Sequence, residues 1–407
     1  MRSTKYLIIG GGLAGGRAID GIRELDKEGS IILVGKEPRP PYNRPPLSKS
    51  FLRGEKPREE IFLESESYYR EEGVDLLLGI TVESLDPEKK QVTLSNGEII
   101  SFQKALLATG GHPIEPPIPG MALEGVHTLR TVENSAAIRE EAQQGRRAVI
   151  IGAGFIGIEM AASLTQRGVH VTVIEMRSHL WPEFVDETLA GFFQDYFEEQ
   201  GIHFILNETA EEFLGEEHVT SVLTKSGDEI PCDFVCVAVG IKPNVALAQE
   251  AGLEVDGGVV VNEYLQSSHP DIYAAGDIAN YPDPYFNKRR RVEHWGQADY
   301  TGDLAGRNMA GAEEAYDLLT YVWSEEFDLH LEFAGDHTEA DRKLQRGEFG
   351  SDSFARFFLK GGQMTAYFAI NPDDDELSAW NSLIEEKADL TGKEEQLQDP
   401  GFDPADL

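Results

Sequence analysis

The sequence predicts an α/β protein containing two Rossmann-like dinucleotide-binding folds. Three observations predict it. The apolar Tyr6–Gly10 opens into Gly10-Gly11-Gly12-Leu13-Ala14-Gly15, then a helical stretch to about Leu25 and a second strand, Ile31–Val34. The same pattern returns at Ala148–Ile151, with Gly152-Ala153-Gly154-Phe155-Ile156-Gly157, a helix over Ile158–Arg167 and a strand over Val169–Ile174. Finally, 407 residues exceed what one hydrophobic core usually supports, so two or three domains are expected. One G-x-G-x-x-G is weak evidence. Two, each between a strand and a helix and each followed by another strand, are strong.

Each glycine has a mechanical reason. The first (Gly10, Gly152) allows the tight turn, the second (Gly12, Gly154) lets a pyrophosphate approach the backbone, and the third (Gly15, Gly157) lets helix and strand pack closely. Leu13, Ala14, Phe155 and Ile156 then start helices whose N–H groups and positive ends face the phosphates. The end of each second strand indicates the nucleotide. Glu175 lies 23 residues after Gly152. A carboxylate there accepts from an adenosine ribose and repels a 2′-phosphate, which favours NAD over NADP; Arg177, two residues on, keeps NADPH as the alternative. In the first block the matching stretch is Gly35-Lys36-Glu37, so the acid is displaced and Glu37 is the candidate for that ribose.

Composition bounds the rest. Hydrophobic residues make up 41% of the chain, which reads as globular, and the longest apolar runs, such as Phe234–Ile241, are far shorter than the ~20 residues of a membrane span. The start runs directly into a strand and a Gly-rich loop, so no signal peptide is expected and the location expected is cytoplasmic. The formal charge is −36, with twelve acids against Lys387 and Lys393 between Asp373 and Asp406. Such a field opposes nucleic acid and anionic membranes. A salt-adapted host explains it, an acidic docking tail less well. Cys232 and Cys236, the only cysteines, are expected on one face of an apolar strand, too far apart for a disulfide and buried as core. No metal motif is present.

Two further motifs, Ala105-Leu106-Leu107-Ala108-Thr109-Gly110-Gly111 and Ile272-Tyr273-Ala274-Ala275-Gly276-Asp277, combine with the fingerprints. Together they resemble the two-dinucleotide-fold flavoproteins related to glutathione reductase. The chain lacks that superfamily's redox cysteines after the first fold. In their place stands Arg44-Pro45-Pro46-Leu47-Ser48-Lys49, similar to ferredoxin and rubredoxin reductases of oxygenase systems and to apoptosis-inducing-factor-like proteins. Arg291-Val292-Glu293-His294-Trp295 and Val322-Trp323-Ser324-Glu325-Glu326-Phe327-Asp328 resemble the same group.

The resemblance implies FAD and NAD(H) as cofactors. It implies that Asp277, beside Gly276, meets the ribityl chain. Arg44 and Lys49 line the flavin, Arg130 neutralises the FAD pyrophosphate, and the backbone at Val82 meets the adenine, with Ala108, Thr109 and Gly110 beside the first loop. Glu159 stands between flavin and nicotinamide and pairs with Lys49, Gly240 closes the NAD fold, and Glu293, His294, Trp295 and Trp323 complete the flavin pocket. His112, where an arginine is common, and Lys36, where an acid is common, depart from the pattern. The implied architecture has an FAD domain over 1–112 and 241–311, an inserted NAD domain over 113–240, a C-terminal α+β domain over 312–392 and an acidic, mobile tail over 393–407.

The implied function is NADH oxidation through FAD, with electrons leaving to an iron–sulfur protein, ferredoxin first and rubredoxin second. The rivals are direct reduction of a quinone, an ascorbyl-type radical or oxygen, and an NADH-responsive signalling or assembly protein that dimerises. Two basic segments stand out against the acidic whole: seven bases and two acids between Lys36 and Arg58, and the run Lys288-Arg289-Arg290-Arg291. They are expected to flank the flavin and to steer an acidic partner, with internal ion pairing as the alternative.

Overall fold

The computed structural model describes residues 2–182, 184–351 and 353–407. The chain divides into two compact units, one made of the residues up to Pro45, Pro57–His112 and Ile241–Leu318, the other of Pro46–Lys56, Pro113–Gly240 and Leu319–Leu407.

The first unit is built on a mixed sheet. Strands Val74–Leu78, Ile31–Gly35, Arg2–Ile9 and Ile99–Leu107 lie side by side in parallel. The long strand Ile99–Leu107 pairs antiparallel with Gln91–Leu94 near its start and parallel with Ile272–Ala274 near its end. Helices Leu13–Leu25 and Trp295–Ala310 pack almost backbone to backbone. A Cβ on Gly302 would lie 2.5 Å from the Ala14 carbonyl oxygen, and one on Gly306 2.3 Å from that of Ala18. Glycine is therefore required there, and this seam holds the start of the second helix beside the first glycine loop.

In the second unit a five-stranded parallel sheet has the order Ile202–Leu206, His170–Glu175, Arg147–Ile151, Phe234–Val237, Val126–Thr128. A three-stranded antiparallel sheet follows (Ala210–Gly215, Val219–Thr224, Glu229–Pro231), and an antiparallel five-stranded sheet begins at Tyr321–Glu326. Aromatic side chains join helix Glu187–Glu199 to the C-terminal sheet, for example Phe193 edge-on to Phe368 at 5.8 Å.

Three expectations are corrected. Residues 46–56 belong with the second unit. Hydrogen bonds bring them there: Ser135 Oγ to the Leu47 carbonyl (2.6 Å), Ser163 Oγ to that of Ser48 (2.6 Å) and Arg167 Nη1 to that of Arg53 (2.7 Å). The cysteines do not share a strand face. The strand covers only Phe234–Val237, and the chain turns at Asp233, so Cys236 enters the core holding Phe234 and Cys232 the one holding Val235 and Val237. Both are buried and free. Finally, residues beyond 392 are anchored. Helix Glu394–Gln398 buries Leu397, and buried Arg346 donates to the carbonyls of Leu397 (3.3 Å), Asp399, Pro400 (3.4 Å) and Phe402 (3.0 Å). Among the described residues no helix is long and apolar enough to cross a membrane.

Candidate functional site: two glycine cradles and a buried carboxylate cluster

In the first unit, strand Arg2–Ile9 delivers the chain to Gly10, whose φ of +128° and the closeness of the Ala108 carbonyl exclude a side chain. A Cβ on Gly15 would lie 2.1 Å from the Gly10 oxygen. Gly12 is different, because a Cβ there would meet nothing within 4 Å. It is also the N-cap of Leu13–Leu25, which has no side-chain cap and no acid in its first turn. An uncapped helix start over open space is what an incoming pyrophosphate requires. The second unit repeats the arrangement. Gly152 (φ +100°) and Gly157 are hemmed in by backbone, while Gly154, the uncapped N-cap of Phe155–Gln166, is open.

Around the first cradle, Ala108 packs on Gly10, and Thr109 exchanges two hydrogen bonds with Asn244 (2.7 and 2.8 Å), fixing the loop through Gly110. Gly79 N donates to the Glu37 carbonyl and Ile80 N to that of Gly35, so the chain leading to Val82 runs along the end of the second strand. Glu37 accepts from Arg44 Nη2 (2.9 Å) and from Tyr42 Oη (2.5 Å). The structure thus brings Arg44 to the Glu37 end of the cradle. Gly276 (φ +72°) lies against Ala14 and sets Asp277 in a tight turn; burial opposes the Arg44 charge, and Tyr42, Glu37 and, least, Asp277 outweigh it and raise its pKa. Glu293 pairs with Arg291 (2.5 Å), His294 caps the helix that Trp295 begins, and Trp295 Nε1 donates to Asn43 (2.9 Å). Asn43 lies in the Pro41–Lys49 stretch that carries the resemblance, which gave it no role of its own.

Around the second cradle, Glu175 ends its strand and accepts from Ala153 N (2.7 Å) and Arg177 N (2.8 Å). The loop holding Gly240 (φ +109°) lies opposite Gly152, through the Ala238 carbonyl. Four large apolar side chains stay exposed on these segments: Ile114, Ile156, Met176 and Val239, with Met176 at 66%. Apolar groups left in water beside a phosphate cradle suit a nucleotide's rings.

The most enclosed polar group lies in the second unit. Lys49 Nζ donates to Glu159 Oε1 at 2.5 Å, and both side chains are buried. Ser48 Oγ donates to Glu159 Oε2, and Lys49 sits over the Trp323 ring, 5.3 Å from its centre. Ser324 Oγ reaches Glu159 Oε1 at 2.7 Å and also Glu326 Oε1. Burial, reinforced by the nearby Glu159 charge, pushes the Glu326 carboxyl up to about 8. The sequence pointed to Lys49, Glu159 and Trp323; it gave no reason to single out Ser48, Ser324 or Glu326. Arg130 also lies in this unit, its backbone N–H tied to Asn134 in the capping box of helix Val132–Glu141.

The basic run is largely spoken for. Arg289 donates to the Val261 carbonyl (2.5 Å) and to Asn280 Oδ1 (3.2 Å), and Arg290 pairs with the buried Asp283 (2.5 Å). In the other basic segment Arg44, Lys49 and Arg53 pair with Glu37, Glu159 and Glu55. Most of these cations thus have partners within the chain, although the Arg53–Glu55 pair is at the surface and Lys288 and Arg289 are both exposed.

Residues 4–302 match the pyridine nucleotide-disulphide oxidoreductase family, and residues 321–407 match the reductase C-terminal family. Rhodocoxin reductase from Rhodococcus erythropolis is 34% identical, over 98% of this chain and 92% of its own. The ferredoxin reductase for the CYP199A2 system of Rhodopseudomonas palustris superposes with a TM-score of 0.92 at 30% identity, over 99% of both chains. Putidaredoxin reductase in its covalent complex with putidaredoxin gives 0.91 at 29% identity, over 96% of this chain and 94% of that one.

Proposed function

The chain belongs to the pyridine nucleotide-disulphide oxidoreductase family, and on that premise we propose that it oxidises NADH and passes the electrons, through FAD, to a ferredoxin-type iron–sulfur protein. One observation carries the choice of an external acceptor. The only two cysteines are buried in separate cores, and burial pushes both thiols up to about 12. No thiolate is on hand to take electrons inside the chain. The likeness to reductases of small redox proteins supplies the acceptor class.

FAD, when bound, accepts two electrons from NADH and releases them singly. The protein's part is to bind, orient and tune. The Gly10–Gly15 loop holds one pyrophosphate at a helix start, with Glu37, Arg44, Asp277, His294 and Trp295 of the same unit for the rest of that cofactor. The Gly152–Gly157 loop holds the other pyrophosphate, and the exposed apolar rim takes the rings of NADH. Lys49 supplies a fixed positive charge that favours an electron-rich partner, and Glu159 holds that charge in place. Because NADH is the donor, the cytoplasm is the compartment we assign.

The purified protein should be yellow, release FAD on denaturation and bleach on anaerobic addition of NADH. A colourless protein that cannot be reconstituted with FAD would sink the reading. NADH should be preferred over NADPH, and Glu175→Gln should narrow the gap in kcat/KM on the order of tenfold, about 1.4 kcal/mol. Wild-type preference for NADPH would hand the site to Arg177.

Docking of the acidic partner is proposed at the run Lys288-Arg289-Arg290, in which Lys288 and Arg289 are exposed and Arg290 pairs with Asp283. Lys288→Glu should slow ferredoxin reduction several-fold at low salt and leave ferricyanide turnover as it was. Equal rates with ferredoxin in variant and wild type would remove this surface from the account.

A further inference from the structure

Strand Tyr321–Glu326 alternates, so Ser324 and Glu326 point into the core while Glu325 lies in water. Glu326 is 1% exposed, Ser324 is fully buried, and Ser324 Oγ stands within hydrogen-bonding distance of Glu326 on one side and Glu159 on the other. A hydroxyl has one proton and can donate to one carboxylate. Two hydrogen bonds in a row of three oxygens need two protons, so the second must reside on a carboxyl. Glu159 already receives Lys49 and Ser48 and is suited to the ionised form. Glu326 has no cation as close, and its Oε2 is buried with no hydrogen-bond partner. A bare carboxylate oxygen in that position is costly.

We propose that Glu326 is held as a neutral acid that donates to Ser324, which in turn donates to Glu159, making Glu326 a positioning residue that fixes the Lys49–Glu159 pair. The inference rests on the function proposed above for that pair. Loss of the Glu326 proton turns the Ser324 hydroxyl toward Glu326, strips Glu159 of a donor and adds a buried negative charge near Lys49. The titratable groups around Glu326 are Lys49, Glu159, Glu325 and Tyr196. Burial is the largest influence on it and Glu159 adds to it, while Ser324 and Lys49 pull the other way; the balance places the transition at about 8. Below that value the chain of hydrogen bonds is intact, and above it the chain is broken.

The test has two readouts on the FAD-loaded enzyme. Infrared difference spectra taken across neutral to alkaline pH should show a neutral carboxyl band at neutral pH that disappears on alkalinisation and is missing in Glu326→Gln. This signal does not depend on turnover. With ferricyanide as acceptor, kcat/KM for NADH should fall with a slope approaching tenfold per pH unit above the transition. The glutamine variant, which keeps a donor but has no proton to lose, should lack this alkaline limb. Ser324→Ala should keep the infrared band and have a lower kcat/KM already at neutral pH, because Glu159 has lost the Ser324 donor. No neutral carboxyl in the wild type, a band that survives in Glu326→Gln, or an alkaline limb that persists in Glu326→Gln would overturn the inference. Complete absence of NADH oxidation would instead strike the proposed function, and the infrared result would still decide the protonation of Glu326.

Discussion

Lys49→Met is expected to lower kcat/KM for NADH with ferricyanide by on the order of 10²–10³, the typical cost of removing one preorganised electrostatic group. It should also destabilise the fold by about 3–5 kcal/mol, because Glu159 is left buried without its cation. Side-chain exposure of 11% for Lys49 and 7% for Glu159 means water screens little of this. The two effects can be separated. Adding Glu159→Gln removes the stranded charge, so the double variant should recover most of the stability but not the rate. Recovery of both would make the pair structural. Loss of stability with a wild-type rate per folded molecule would remove Lys49 from the chemistry.

The second large effect is expected far from the cradles. Arg346→Ala removes one guanidinium that pairs with Glu376 at 2.8 Å and ties down four backbone carbonyls between Leu397 and Phe402. Hydrogen bonds to a charged group are worth about 1.5–3 kcal/mol each, though they are not additive here, and breaking a buried pair costs about 3–5 kcal/mol. A loss near the upper figure should show as a lower denaturation midpoint and as new proteolytic cleavage after Gly392. Arg346→Lys should rescue little, since an ammonium cannot form the planar fork. Wild-type resistance to protease in Arg346→Ala would mean that the segment is held by Leu397 and Pro404 burial instead.

What the sequence made legible follows from the range of the forces involved. Both cradles were readable because their constraints are local: Gly10 and Gly152 need positive φ within a few residues of a strand end, and the pattern repeats. Lys49 and Glu159 became candidates through the resemblance, and the structure joins them across 110 positions of sequence. Ser324 and Glu326 were not legible. An acid next to another acid in a strand reads as surface, and only the packing of the strand's two faces reveals that Glu326 is buried and Glu325 exposed. The C-terminal segment failed for a related reason. Its composition is that of a solvated tail, yet a single distant arginine supplies the partners its carbonyls need. The basic run was legible only as charge, since counting cannot see that Arg289 and Arg290 also have acceptors within the chain.

Electrons from NADH leave this protein for an iron–sulfur acceptor, and turnover of the FAD-loaded enzyme with NADH decides it: an acidic ferredoxin and a water-soluble quinone are compared anaerobically, and oxygen alone is tried in air. The kcat/KM for ferredoxin should exceed that for quinone or oxygen by on the order of 10² or more, and this advantage should shrink as salt is raised. A quinone or oxygen rate equal to or above the ferredoxin rate would contradict it.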